Sequence, residues 1–433
     1  NQNAEYSAVN DAVRGQFLRR VWGLITPYWR SEEKAKAWLL LLVVLGLSLF
    51  SVAVSVWFNS WNRDFYNALE NKDYDAFTHL LMYFSVIAVV SIVTGVFTSY
   101  LQQMLTIRWR RWLTETYFAQ WLGHKNYYHL EYGGYTDNPD QRISEDLNAF
   151  TSSTLTLGLG FIANLVSLVS FSVILWGVSG SIEIWGITVP GYMFWAALIY
   201  AVIGSWLTHL IGRKLIGLSN RQQRFEADLR FSLVRVRENA ESIALFNGEP
   251  NERQQLSARF GRVWSNFWNI MQLKKRLNFF TSGYSQIAII FPFVVAAPRY
   301  FSGKIELGVL MQVAQAFGSV QGSLSWFVDA YTLLASWRAT CDRLLSFGQA
   351  MQDNESRTMG IGLQHQGDDL QVKDLSLDLA DGRHLLQGAD LTVAEGERLM
   401  LSGRSGSGKS TLLRAMGNLW PNGHGNIRLP AER

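Results

Sequence analysis

A chain of 433 residues that is 48% hydrophobic, only 17% charged and holds 17 tryptophans is too apolar for an ordinary soluble domain, and its composition points to a membrane. The formal charge of +4 and pI near 9.0 do not indicate nucleic acid, because the basic residues flank apolar segments rather than form one basic domain. A single cysteine, Cys341, excludes an intrachain disulfide framework.

Asn1 to Val13 is polar and shows no apolar core with a small-residue cleavage site, so no secretory signal peptide is expected and insertion falls to internal spans. From Phe17 to Trp29 apolar residues recur at helical spacing between Arg14, Arg19, Arg20 and Arg30, the pattern of an amphipathic helix lying against membrane lipid at the headgroup boundary. Residues 1–34 therefore form a cytoplasmic N-terminus with an interfacial helix.

Residues 35–345 are expected to form a transmembrane domain of six helices. Ala35 to Phe58 and Ala76 to Leu105 are each long and apolar enough to cross a hydrocarbon core of about 30 Å. Ser152 to Val178 and Gly191 to Gly212 follow as the third and fourth spans, and Leu277 to Pro298 and Leu307 to Ala335 as the fifth and sixth. The segments after spans two and four are rich in Arg and Lys, whereas the loop between spans three and four has neither. The basic faces are thus cytoplasmic, and six spans put both termini there too. Trp109, Trp112, Trp121, Tyr127 and Tyr128 read as interfacial anchors. Apart from His124 and His129, five apart, the histidines lack close metal-ligand spacing, and no metal site is expected among them.

In the sixth span Gln321, Ser325 and Asp329 lie at four-residue steps on one helix face, beside Gly318 and Gly322. A charge within a span faces water or a partner, so this face is a candidate wall of a transport path with Asp329 as a cation or proton site. Residues 346–367 read as a linker, and a nucleotide domain is expected over 368–433, with strands at Asp368 to Ala380, Leu385 to Val393 and Arg398 to Ser402.

The last strand leads into Gly403-Arg404-Ser405-Gly406-Ser407-Gly408-Lys409-Ser410-Thr411, a G-x-x-x-x-G-K-[ST] P-loop. Its glycines let backbone N–H groups converge on phosphate oxygens at a helix N-terminus, where Lys409 reaches the outer phosphates and Ser410 offers its hydroxyl to Mg²⁺. ATP with Mg²⁺ is the expected ligand. Ser410 lies close to the last residue given, Arg433, and no hydrophobic strand ending in an acidic pair follows it, so the chain as given is expected not to hydrolyse ATP.

Spans, long cytoplasmic loops and a C-terminal P-loop together resemble an ABC transporter half, a six-span exporter-type membrane domain fused to the start of an α/β P-loop ATPase domain. The runs Asn138 to Ile143 with Glu145-Asp146, Glu238 to Glu249, and Leu419-Trp420-Pro421 narrow the match to the SbmA/BacA-related bacterial group with its YddA-type inner-membrane members, similar to the peroxisomal ABC half-transporters. The resemblance implies ATP at Gly403 to Thr411, and coupling turns at Asn138, Asp140 and Arg142 and at Glu241, Phe246, Gly248 and Glu249. It further implies a homodimer in the bacterial inner membrane that moves an unidentified substrate by ATP-driven alternating access. Leu377 to Asp381 holds no aromatic for adenine, a departure from the family pattern. The alternative is a proton-driven SbmA-like peptide transporter with a vestigial P-loop.

Overall fold

A computed structural model describes residues 17–133, 138–184, 187–355, 360–379, 383–404 and 406–431. Residues 1–13, Ser405 and Ala380-Asp381, on which expectations were placed above, lie outside that set. The chain divides into two compact units, one of Leu40–Gln103 with Leu155–Ala335, the other of Asn1–Leu39, Met104–Thr154 and Ser336–Arg433.

The first unit is built from long helices, α2 (Lys34–Glu70), α3 (Tyr74–Leu122), α6 (Leu147–Ser179), α7 (Tyr192–Glu238), α9 (Glu249–Phe301) and α10 (Leu307–Glu355), of which α2, α3, α6 and α10 also contribute residues to the second. Five helical stretches, Lys34–Glu70, Tyr74–Glu131, Pro139–Ser179, Tyr192–Glu238 and Glu249–Phe301, are long and apolar enough to cross a membrane. The expected sixth span is helical within α10 but more polar, with Gln312, Gln315, Gln321 and Ser323 along it. Its apolar face explains how that polarity is accommodated. Val313, Ala316, Phe317 and Val320 are buried against Phe171 and Leu175 of α6 and Met193 and Ala197 of α7, which packs this face of α10 among its neighbouring helices.

A polar seam joins α10 to α2. The fully buried Asn59 amide donates to the Gln312 carbonyl at 3.1 Å and to Gln315 Oε1 at 3.2 Å. About two and three turns further on, Asn67 Oδ1 accepts from the Gly308 N–H at 2.7 Å and Glu70 Oε2 from the Leu307 N–H at 2.8 Å, so α2 caps the N-terminus of α10. Only glycine fits there, since a Cβ on Gly308 would lie 1.9 Å from the Arg63 carbonyl oxygen. Between α6 and α7 the chain forms a two-stranded antiparallel hairpin, β1 (Ser181–Ile184) and β2 (Ile187–Pro190), where a plain loop was expected.

In the second unit a helix over 17–30, here α1, packs Tyr28 on Trp109 of α3 at 6.0 Å, and Trp109 meets Phe150 of α6 edge-on at 5.5 Å. Trp109 and Tyr28 are fully buried, which corrects the reading of Trp109 as an interfacial anchor. Flanking arginines gave it the local signature of an anchor, but its helix face turns into an aromatic core.

The C-terminal sheet has the order β3-β6-β4-β5, from β3 (Ile361–His365), β4 (Leu370–Asp378), β5 (His384–Val393) and β6 (Gly423–Leu429), with β3 and β6 parallel and the other pairs antiparallel. Ile361, Val372, Leu375, Leu377, Ile427 and Trp420 form its core. Two expectations need correction. Much of the stretch 346–367 is regular structure, because α10 runs to Glu355 and β3 belongs to the sheet through its distant partner β6, while 356–359 lie outside the described residues. Residues 398–402 do not form a strand: a strand exists only through a paired neighbour, and none lies beside them among the described residues. Leu399, Met400 and Leu401 are accordingly 48%, 88% and 39% exposed.

Candidate functional site

The P-loop leads into helix α11 (Lys409–Met416). Gly406 and Gly408 take φ of +83° and +91°, left-handed values that a side chain would strain, and Gly408 is the helix N-cap. Gly403 has φ +159°, and a Cβ there would approach Ser407 Oγ to 3.0 Å and the Lys409 ammonium to 4.0 Å, so glycine keeps the concave side of the turn clear. β5 backs the loop, with Leu385 Cβ 3.6 Å from where a Gly408 Cβ would be. Lys409 Nζ folds across the loop and donates to the carbonyls of Gly403 and Arg404, both at 2.8 Å, with Ser407 Oγ at 3.5 Å.

This arrangement fits a polyphosphate. The first turn of α11 has no side-chain cap, so its N–H groups and the positive end of the helix dipole are directed at the loop. Of the two hydroxyls that follow Lys409, Ser410 is exposed and Thr411 is buried. Ser410 is therefore the one able to meet a metal ion that bridges phosphates, while Thr411 packs inward with Ala415. Arg404, Gly406 and Ser407 are exposed around the loop. Trp420 pins the chain after α11 by donating to the Asp378 carbonyl at 3.0 Å.

The turn expected around 138–142 consists of a short helix, α5 (Pro139–Gln141), capped by Asn138 in the left-handed region, and a π turn at Arg142–Asp146. Asp140 is exposed, but Arg142 turns inward and donates to Asp146 Oδ2 at 2.6 Å. Arg343 of α10 adds a two-pronged contact to the same carboxylate, at 2.9 and 2.6 Å. Burial would raise the Asp146 carboxyl, but the hydrogen bonds and charges of Arg343 and Arg142 outweigh it and hold the group below the usual range. Nothing local in the sequence marked Arg343, which lies 197 positions away.

The turn around 241–249 differs. It holds a six-residue helix, α8 (Ala240–Leu245), after which Leu245 and Phe246 are 73% and 85% exposed. Glu241 and Glu249 are exposed as well, and Gly248 N–H bonds the Ile243 carbonyl at 2.9 Å.

On α10, Gln321 and Ser325 are half-buried and Asp329 is exposed. Gln321 reaches the Tyr284 hydroxyl. Tyr284 and Tyr200 stack at 4.4 Å, and each hydroxyl donates to the other's carbonyl, at 2.5 and 2.9 Å, which clasps α7 to α9. These tyrosines border an apolar cleft of about 420 Å³ with Ile203, Leu207, Phe280 and Ile287. The sequence reading found Gln321 but not the tyrosine pair, which two separate helices contribute.

Comparison with known proteins returns the same architecture. Residues 24–301 match the family described as ABC transporter transmembrane region 2, and residues 386–432 match the ABC transporter family. The inner membrane ABC transporter ATP-binding protein YddA of Escherichia coli (strain K12) is 36% identical over 418 residues, 94% of this chain and 73% of that protein. The chloroplastic ABC transporter D family member 2 of Arabidopsis thaliana is 36% identical over 434 residues, 94% of this chain and 60% of that protein. The lysosomal cobalamin transporter ABCD4 of Homo sapiens is 24% identical over 445 residues, 96% of this chain and 70% of that protein. With a membrane-region match over most of its length and an ABC transporter match over residues 386–432, the chain belongs to the ABC transporter family.

Proposed function

We propose that this chain is half of an ATP-driven transporter of the bacterial inner membrane, working as a homodimer with both termini in the cytoplasm. The observation that carries the proposal is the P-loop geometry: left-handed glycines, a lysine folded over the loop, an uncapped helix N-terminus and an exposed Ser410. Gly403 to Thr411, with Ser405 among them, would hold ATP, and Ser410 its Mg²⁺. ATP biases a two-state membrane domain through differential contacts in one conformation, transmitted by the turns at 138–142 and 241–249. Gln321, Ser325 and Asp329 line the path of a substrate whose identity is open; a cobalamin-like cargo is one candidate, since the relative ABCD4 is named for cobalamin transport.

The test is the ATPase rate of the full-length protein in lipid beside its Lys409→Ala variant. A rate that falls by two orders of magnitude or more, about 3 kcal/mol of lost charge stabilisation, supports the motor. Transport that persists in Lys409→Ala and follows a pH gradient through Asp329 would replace ATP with protons as the driving force.

A further inference from the structure

We propose that Lys125 is a positioning residue for the P-loop helix, tying the C-terminus of α11 to a break in the second membrane helix so that nucleotide bound at one end of α11 is felt at the other. The inference rests on the reading of 403–411 as an ATP site.

The C-terminus of α11 is closed by a Schellman motif. Asn418 is left-handed at φ +55°, its N–H reaches the Ala415 carbonyl at 3.0 Å, and the Leu419 N–H reaches the Arg414 carbonyl at 2.8 Å. The cap leaves the Gly417 carbonyl to another donor. That donor is Lys125, whose ammonium lies 2.5 Å from the Gly417 oxygen. A cation there also faces the negative end of the helix dipole, opposite the end that faces phosphate.

Lys125 reaches this position only because α3 does not continue. The helix breaks over Gly123–Lys125, where His124 and Lys125 take φ of +50° and +56° in succession. Left-handed backbone strains residues other than glycine, so the break persists only where its surroundings enforce it. The enforcing group is Asn126, fully buried at the start of α4 (Asn126–Gly133). Its amide nitrogen donates to the Gln120 carbonyl at 2.8 Å, and its oxygen accepts from Asn354 of α10 at 2.5 Å. Glu355 of α10 lies 3.4 Å from His124 Nδ1. One fixed kink thus meets both α10 and the far end of the P-loop helix. An eight-residue helix is a stiff rod of about 12 Å, so a shift of its N-terminus around phosphate moves Gly417, and Lys125 with it. Reciprocity then requires that losing the link change ATP affinity as well.

The experiment is hydrogen exchange on the full-length protein in lipid, with and without Mg·ATP, for wild type, Lys125→Met, Lys125→Arg and Lys409→Ala. ATP should slow exchange at 409–418 in all but Lys409→Ala. It should also alter exchange at 120–128 in wild type and Lys125→Arg, and not in Lys125→Met. ATP affinity of Lys125→Met should shift by about two- to fivefold, the range expected of one charge at a helix terminus, and return with Lys125→Arg. A merely structural lysine would change the melting temperature but leave the ATP-dependent change at 120–128 in place. Protection at 409–418 with a response at 120–128 that survives Lys125→Met, or is missing in wild type, overturns the link alone. No protection at 409–418 in wild type overturns the ATP reading, and the link with it.

Discussion

The turns at 138–146 and 240–249 share an expected role but are built on opposite principles. At 138–146 the polar chemistry is satisfied within the chain: the side chains of Arg142 and Asp146 are 12% and 6% exposed, and Arg343 closes a three-membered charge cluster between the start of α6 and α10. At 240–249 the turn is held by backbone bonds, such as Phe246 N–H to the Ser242 carbonyl at 3.1 Å, and its largest side chains face outward. The first is a joint between helices of one unit. The second presents the exposed apolar side chains of Leu245 and Phe246. One turn thus has rigidity behind it, and the other has apolar side chains in front.

The largest effect should come from breaking the first turn. Asp146→Asn leaves two guanidinium groups without their carboxylate and should lower unfolding stability by about 2 kcal/mol, less than the roughly 3–5 kcal/mol of a fully buried pair because Arg343 is partly exposed. Denaturation in detergent beside Arg343→Met measures it; a change under about 0.5 kcal/mol would put the joint elsewhere. The same cluster sets a pH dependence. Because the folded-state carboxyl of Asp146 is lowered, its contribution is fully present above the unfolded value of about 3.9 and is lost as pH falls through the lower folded value. The melting temperature of wild type should therefore drop on acidification below about pH 4 by more than that of Asp146→Asn, which lacks the group.

The second turn predicts a separation of stability from function. Phe246 is 85% exposed, so Phe246→Ala should leave stability within about 0.5 kcal/mol. If the ring docks on a nucleotide-binding domain, its loss removes about 1–2 kcal/mol of contact, and the ATP-dependent shift between membrane conformations should weaken about tenfold. Spin-label distances between spans, with and without ATP, read that shift. A stability loss as large as that of Asp146→Asn would erase the contrast between the turns.

What the sequence made legible follows the range of the interaction. The P-loop glycines and five of the six expected spans are local patterns, and each takes the conformation its pattern implies. The features that were not legible depend on a distant partner. β3 is a strand because β6 pairs with it, residues 398–402 have no paired neighbour among the described residues, and Trp109 is core because α1 and α6 cover it. The Asp146 cluster was half visible: Arg142 stands four residues away, but Arg343 does not. The exposed Phe246 was placed at a turn by resemblance, and its surroundings are what give that placement physical content.

The smallest effect is expected at Gly248, and it bears on why the second turn ends where it does. The turn's left-handed residue is Asn247, at φ +50°, whereas Gly248 has an ordinary φ of −80°. A Cβ on Gly248 would lie 3.6 Å from Ile243 Cγ2, a normal packing distance. No steric demand for glycine exists at this position, and replacing it reduces the freedom of the unfolded chain. Gly248→Ala should therefore be neutral or stabilising by up to about 0.5–1 kcal/mol, while Asn247→Val, β-branched in the left-handed region, should destabilise the turn by about 1–2 kcal/mol. Thermal melting of the two variants checks the sign. Should Gly248→Ala instead weaken the ATP-dependent conformational shift without changing stability, the glycine serves close approach of a docked domain, and the contact surface extends past Phe246 to the first turn of α9.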